Sequence, residues 1–175
     1  TPEKMASILR NRSGLKDKQI GYGNEKALNQ LLAHHAVIFS PQKKLVWVSS
    51  NPYQLGEFVC YDLNEIFSGK PLSQSLQAKT GLNIARDPFA DSEEFEHYEQ
   101  FRMLGKELNE AAENKDILLS DDLIPYYESM NPEFWLVYYQ SGKYYFSKKE
   151  YSKAKIEFEK ALTKEITTVP DRKNV

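Results

Sequence analysis

Apolar residues near the N-terminus recur at the three- and four-residue spacing of amphipathic helices. This spacing predicts a first helix over residues 3–12, with Thr1 as its N-cap and Pro2 at its first position. A second apolar stripe predicts another helix over residues 25–33, for which Asn24 is a suitable N-cap. The chain therefore begins as a helical structure.

Between residues 35 and 61 the pattern changes to short, nearly continuous apolar runs that are separated by turn residues. These runs predict strands over residues 35–40, 44–50 and 57–61, with a turn that begins at Pro41 between the first two. Nearly continuous apolar runs are typical of strands that are buried on both faces. Two helices can cover only one face of such a sheet, so the pattern predicts that its other layer lies outside this chain.

The rest of the chain is first irregular and then helical. Residues 64–91 are rich in Ser, Gly, Pro and Asn, which predicts a linker after a short helical turn at residues 64–67. Renewed helical spacing then predicts four helices, over residues 92–114, 120–130, 132–147 and 150–165.

The last two predicted helices resemble a tetratricopeptide repeat. Gly142 falls where the two helices of such a repeat pack closely, and small or aromatic residues follow at Tyr145, Tyr151, Ala154, Phe158 and Ala161. The sequence departs from the usual pattern at Tyr138, Ser141 and Ile166. One repeat cannot bury its own face, so the resemblance implies that the two preceding helices are its neighbours. It implies a peptide- or protein-binding surface, although an ordinary helical hairpin explains the same pattern.

Composition limits the classes of function. The formal net charge is −2, which lacks the basic excess of nucleic-acid-binding domains. No apolar run is long enough to span a membrane. The single cysteine excludes an internal disulfide, and the N-terminus has no signal-peptide pattern, although an upstream segment of a periplasmic or cell-envelope protein would carry one.

The histidines do not form a convincing metal site. His34 and His35 are adjacent at the start of a predicted strand, where their side chains point to opposite faces, and His97 lies on a distant helix. A triad drawn from these histidines with Asp62 and Ser49 or Ser50 lacks a nucleophile elbow.

The other candidate nucleophiles are no stronger. Cys60 lies inside an apolar run, where thiols are usually inert. Thr1 precedes Pro2 and a helix rather than opening a strand, as an N-terminal threonine nucleophile requires. We therefore predict no catalytic, cofactor-binding or metal-binding residue in this chain.

The segment from the first helix to the third strand carries a second resemblance. Its residues are the stretches "LRNRSGL" and "NEKALNQLLAHH", followed by Pro41, Lys43, Trp47-Val48-Ser49, Gly56 and Tyr61-Asp62-Leu63. In this order they are similar to the C-terminal end of the penicillin acyltransferase-like family of N-terminal-nucleophile hydrolases. The resemblance covers residues 3–67. It implies an αββα sandwich and a self-processed enzyme that cleaves or transfers an acyl group across an amide bond. The implied nucleophile, an N-terminal Cys, would lie upstream, so no catalytic residue is carried over.

We therefore predict an α+β chain in which two helices and a short antiparallel sheet form part of an αββα layer over residues 1–67. A linker over residues 68–91, a tetratricopeptide-like region over 92–168 and a tail over 169–175 follow. The expected function is that of an inactive C-terminal fragment of an acyltransferase or amidohydrolase, and the alternative is a helical-repeat interaction module. Expected partners are the upstream domain, a peptide or protein on the helices, or a second copy paired through the strands.

Overall fold

The computed structural model describes residues 1–114, 117–120 and 122–175 and belongs to the α+β class, as predicted. The chain divides into two compact units. The first, here called the sheet unit, comprises Thr1–Arg12 and Leu28–Ser92, and the second, the helical unit, comprises Ser13–Ala27 and Glu93–Val175. Both units therefore contain segments that are distant in sequence.

The sheet unit contains the three predicted strands. Helix α1 spans Pro2–Leu9, and the strands β1, β2 and β3 span Val37–Ser40, Leu45–Ser49 and Phe58–Asp62. Neighbouring strands pair antiparallel in the order β1-β2-β3, with Trp47 opposite both Ile38 and Cys60. Short helices α2 and α3 follow over Leu63–Ile66 and Leu72–Ser75. The strand prediction is confirmed, with the ends shifted by one or two residues.

One face of the sheet carries the core of this unit. Because side chains alternate between faces along a strand, Ile38, Trp47 and Cys60 lie on the same face, and all three are buried. Ala6 of α1 packs against this cluster, which also includes Ile84. Helix α1 covers this face of the sheet with its own apolar side.

The predicted linker differs from the structure. Residues 68–91 belong to the sheet unit, where part of this segment pairs with the outer edge of β3. Phe58 and Ile84 exchange two backbone hydrogen bonds of 2.9 and 3.0 Å, and the Lys79 N–H donates to the Cys60 carbonyl at 2.7 Å. These long-range bonds leave no signal in the local polar composition from which the linker was predicted.

The predicted helix over residues 25–33 is wrong, because two buried asparagines hold this segment in turns instead. The Asn24 Oδ1 accepts from the Lys26 N–H at 3.0 Å, and the Asn29 Oδ1 accepts from the Leu31 N–H at 2.9 Å. Asparagine side chains compete in this way with the hydrogen bonds of a helix. Leu31 itself has a φ of +51°, which a helix does not permit.

Helices make up most of the helical unit. They are α4 over Glu93–Glu113, α5 over Leu123–Met130, α6 over Trp135–Ser147, α7 over Tyr151–Thr163 and α8 over Val169–Asn174. The four predicted helices are confirmed with shorter ends. The second of them was expected to be capped by residues 120–122, of which residue 121 lies outside the described residues. The predicted tail contains α8, which Thr168 caps by accepting from the Asp171 N–H at 3.1 Å.

Aromatic rings form the core of the helical unit. Successive ring contacts, with centroids 5.1–6.3 Å apart, join Tyr98, Phe101, Tyr127, Phe134, Trp135, Tyr139 and Phe158. Such offset and edge-to-face pairs stabilise a core beyond the area they bury. The many aromatic residues of the sequence are thus used to join α4, α5, α6 and α7.

The segment Ser13–Ala27 is held in the helical unit by polar contacts. The Asn131 side chain pairs with the backbone of Tyr22, accepting at 3.0 Å and donating at 2.8 Å. The Glu165 carboxylate binds Lys18 at 2.8 Å and Lys26 at 2.6 Å. These two lysines lower the pKa of Glu165 to about 2. In the sequence, the polar residues that make these contacts were visible only as positions next to the predicted helices.

Candidate interaction surfaces

The structure places the candidate metal and triad residues apart or in structural roles. His34 and His35 are exposed, and no group of three or more potential ligands capable of holding a metal ion occurs among the described residues. Ser49 is buried and its Oγ accepts from the Ala36 N–H at 2.7 Å. Asp62 caps α2 by accepting from the Asn64 N–H at 2.8 Å. Ser49 and Asp62 therefore each hold a backbone N–H in place.

The candidate nucleophiles are likewise occupied. Cys60 is fully buried in the sheet, where burial and then the nearby charge of Asp62 raise the pKa of its thiol. A raised pKa keeps a thiol protonated and therefore a poor nucleophile. Thr1 caps α1 by accepting from the Lys4 N–H at 3.4 Å. The chemistry of this chain is therefore best sought in its surfaces.

The first candidate surface is the second face of the sheet, here called the open face. Its positions are Val37, Phe39, Val46, Val48, Val59 and Tyr61. Phe39 is 63% exposed and Val37 is 45% exposed, whereas Val46 at the centre is buried. All six positions are apolar or aromatic, although the outer face of a solvated antiparallel sheet is normally polar. The open face therefore has the composition of a buried layer and is exposed along its β1 edge.

The second candidate surface is a groove on the α6–α7 hairpin, here called the α7 groove. It is lined by Phe146, Tyr151, Ala154, Lys155, Phe158, Glu159 and Leu162. Ala154 is buried at its base, while the rings of Phe146 and Tyr151 are about three-fifths exposed and contact each other edge to face. Helix α7 thus carries apolar residues outside the side that packs on α6.

A buried acidic pair lies in the helical unit. Glu128 of α5 and Glu157 of α7 have side chains only 14% and 10% exposed, and Lys160 Nζ lies 3.5 Å and 2.9 Å from one oxygen of each. The other oxygens, Glu128 Oε1 and Glu157 Oε2, are buried without a hydrogen-bond partner among the described residues, as is Ser141 Oγ. A proton held between the two carboxyls would satisfy both inner oxygens and leave one negative charge opposite one lysine.

The surroundings of Glu128 disfavour its ionised form. Burial, followed by the charge of Glu157, raises the pKa of Glu128. Tyr138 of α6 faces the same groups, and its pKa is raised first by burial and then by the charge of Glu128. Sequence analysis missed this cluster, although Glu157 lies on the apolar side of α7 between Ala154 and Ala161, which is an available signal.

We expect Glu128→Gln to raise the free energy of unfolding at pH 7 by on the order of 1 kcal/mol, since it removes a buried like-charge contact. Because the folded state binds the Glu128 proton more tightly than the unfolded state, protonation of Glu128 stabilises the fold. This stabilisation is fully present below the unfolded pKa near 4.5 and is lost as the pH rises through the raised folded pKa. The stability advantage of Glu128→Gln over the unsubstituted chain should therefore shrink as the pH falls toward 4.5. Urea unfolding across this pH range measures it.

The matched control for this prediction is Glu159→Gln on the same helix, whose carboxyl is 63% exposed and should change stability little at any pH. Destabilisation of the Glu128→Gln variant at pH 7 would contradict the argument, because it would mean that the ionised Glu128 is stabilised by Lys160.

Comparison of this chain with protein-family models, with curated proteins and with solved structures found no match to any of them.

Proposed function

We propose that this chain is the C-terminal part of a penicillin acyltransferase-like enzyme of the N-terminal-nucleophile class, and that its sheet supplies half of an αββα core. The open face is the observation that carries this proposal. The resemblance of residues 3–67 to that family supports it independently.

The distribution of apolar residues on the sheet fits one half of such a sandwich. In an αββα arrangement each sheet packs on helices with one face and on the second sheet with the other, so both faces must be apolar. The core face here packs on α1, and the open face carries only apolar and aromatic residues. A second sheet on the open face would bury Val37 and Phe39 and remove the exposure of the β1 edge.

The local backbone of the sheet unit agrees with the residues that carry the resemblance. A Cβ atom at Gly56 would lie 2.4 Å from the Asn51 carbonyl oxygen, so a larger residue does not fit in the bend before β3. The C-terminal Asp62 of the same strand caps α2. Both positions hold the local shape of the chain around β3.

The reaction of the proposed parent enzyme is acyl transfer or amide hydrolysis by an upstream Cys. Its thiolate would attack the amide carbonyl, and the tetrahedral oxyanion would be stabilised by hydrogen-bond donors. Cys60 does not serve this role, because it is fully buried and its pKa is raised. We therefore expect the 175-residue chain by itself to hydrolyse no acyl amide.

The decisive experiment compares this chain with the product of its reading frame extended upstream. In the 175-residue chain, Phe39→Lys should change the free energy of unfolding by no more than about 0.5 kcal/mol, because the side chain is exposed. In the extended product the same substitution should cost about 2 kcal/mol or more, because a covering layer buries it. Ile38→Lys, on the core face, is the matched control and should destabilise both forms.

The enzymatic part of the proposal is tested by the mass of the extended product. Self-cleavage that exposes an N-terminal Cys, lost when that Cys is replaced by Ala, supports the acyltransferase assignment. Two results would refute the proposal. One is a reading frame that starts immediately before Thr1. The other is an effect of Phe39→Lys on the free energy of unfolding that is equally small in the 175-residue chain and in the extended product.

The second candidate function is that of a tetratricopeptide-like interaction module. It is favoured by the close approach of α6 and α7, where a Cβ atom at Gly142 would lie 2.5 Å from the Phe158 ring. Ala154 and Ala161 are buried on the same side of α7. This function predicts that the helical unit binds a peptide or protein whether or not an upstream region is present, which separates it from the enzyme proposal.

A further inference from the structure

The α7 groove adjoins the side of helix α7 that packs on α6. Ala154 and Ala161 are buried on that side, and Ala154 also forms the base of the groove. Tyr151, Phe158 and Leu162 are spaced seven and four residues apart and form a stripe along the groove, in which the Phe158 ring also packs on Gly142 of α6. At 100° per residue these three side chains lie within about 40° of one another around the helix axis. Tyr151 is 58% exposed and Leu162 is 40% exposed, so this stripe is available to a partner.

Two opposite charges flank this stripe on one side. Lys155 and Glu159 are one helical turn apart, with Lys155 Nζ 3.7 Å from Glu159 Oε1, and their side chains are 75% and 63% exposed. Residue 157 lies midway between Lys155 and Glu159 in the sequence. When a second α7 helix runs in the opposite direction past this midpoint, its Glu159 lies level with Lys155 of the first helix and its Lys155 lies level with Glu159. The two charges of one copy are therefore complementary to those of the other.

We propose that a second copy of this chain docks on the α7 groove, with the two α7 helices antiparallel about a two-fold axis level with residue 157. In an antiparallel pair related by such an axis, equivalent sides of the two helices lie on the same side of the contact. Lys155 of each copy therefore faces Glu159 of the other, and this ion pair is formed twice.

The apolar residues of the stripe also pair with one another across the same axis. With a rise of 1.5 Å per residue, Tyr151 lies about 9 Å from the axis and Leu162 about 7.5 Å from it in the opposite direction. Tyr151 of one copy thus meets Leu162 of the other. Phe158 lies about 1.5 Å from the axis, so the part of its ring that lines the groove meets its counterpart. One symmetry axis therefore pairs all the apolar and charged residues of the stripe.

A parallel arrangement does not have this property. A two-fold axis along the helix direction would place Lys155 beside Lys155 and Glu159 beside Glu159, which repel. The antiparallel contact involves one helix pair and the flanking Phe146 rings, so it is small for a protein interface. We therefore expect a reversible dimer with a dissociation constant of about 10–100 µM.

The test is sedimentation of the purified chain between about 1 µM and about 500 µM, where a dimer of this affinity changes from minor to predominant. Lys155→Glu and Glu159→Lys should each weaken the dimer by about tenfold or more, because each creates two like-charge contacts. The double variant Lys155→Glu/Glu159→Lys should recover the original affinity. Lys106→Glu, an exposed charge reversal on α4, is the matched control and should have no such effect.

The outcomes separate this inference from the alternatives. Circular dichroism of every variant verifies that the helix content of the chain is unchanged, and the double variant also retains an i,i+4 ion pair within α7. A chain that stays monomeric at the highest concentration, or a double variant that fails to recover dimerisation, overturns the proposal. So does a dimer that is abolished by Phe39→Lys and unaffected by Lys155→Glu, because it would form through the strands. None of these results depends on an upstream enzyme domain.

Discussion

Replacement of Arg10 by Met is expected to lower the free energy of unfolding of the sheet unit by about 3 kcal/mol, because it removes charged hydrogen bonds from four backbone carbonyl groups, three of them part-buried. Arg10 follows α1 directly and is a structural residue that the sequence analysis did not single out. It joins the end of this helix to the bend before β3 and to the segment after α3.

The contacts of Arg10 explain the size of this effect. Its Nη2 donates to the carbonyl oxygens of Gly56 at 2.7 Å and Ala85 at 2.9 Å, and to that of Leu55 at 3.3 Å. Its Nε donates to the Gln54 carbonyl at 3.3 Å. The guanidinium also lies 5.1 Å from the centre of the Phe58 ring. Methionine keeps the apolar stem and leaves the carbonyls without these donors.

The measurement uses the two tryptophans, one in each unit. In a Trp135→Phe background, the fluorescence of Trp47 reports urea unfolding of the sheet unit alone. Lys4→Met, at an exposed position of α1, is the control and should change stability by less than about 0.5 kcal/mol. Equal effects of Arg10→Met and Lys4→Met would show that the carbonyl contacts of Arg10 do not stabilise this unit.

The second large effect is expected at the contact of α6 with α7. Gly142→Val should destabilise the helical unit by about 2–3 kcal/mol, because the new side chain overlaps the Phe158 ring. A Cβ atom at this position would lie 2.5 Å from Phe158 Cε1, and the ring is held in turn by Tyr139, with centroids 5.9 Å apart. This strain exceeds the approximately 1 kcal/mol by which glycine is normally disfavoured in a helix.

A double-mutant cycle with Phe158→Leu tests the cause of that loss. Phe158→Leu alone creates space, and the combination with Gly142→Val should be less destabilised than the sum of the two single effects by about 1 kcal/mol or more. The fluorescence of Trp135 in a Trp47→Phe background reports this unit. Gly81→Ala, where no atom of the described residues lies within 4 Å of the new Cβ, is the control, and it is followed by the fluorescence of Trp47 because residue 81 belongs to the sheet unit. Strict additivity in the cycle would show that Phe158 is not the source of the strain.

The accuracy of prediction differed between local and long-range features of the sheet unit. The turn at Pro41 and the apolar runs on either side of it were sufficient to predict β1 and β2, because a hairpin joins neighbours in sequence. The pairing of the segment at Ile84 with Phe58 could not be predicted, since it joins residues 26 positions apart through backbone atoms. Composition there predicted a linker because backbone pairing leaves no mark on side-chain type.

The helical unit shows the same difference. The apolar spacing of α4 to α7 and the Gly142 position were evident in the sequence, and both are present in the structure. Asn24 was predicted to begin a helix because it is a good cap, yet its Nδ2 donates to the carbonyls of Ile20 at 3.0 Å and Glu165 at 2.9 Å. The second of these partners lies 141 residues away, so its presence was invisible to any local pattern.

The sequence by itself determined the type and order of the main helices and strands, because periodicity and turn residues act within a few positions of the chain. Tertiary structure decided which polar side chains are buried, since Glu128 and Glu157 meet only when α5 and α7 pack in the same unit. It also decided which apolar residues stay exposed, such as Phe39 on the open face and Tyr151 in the α7 groove. Exposure depends on what the rest of the chain covers, and no window of sequence contains that information.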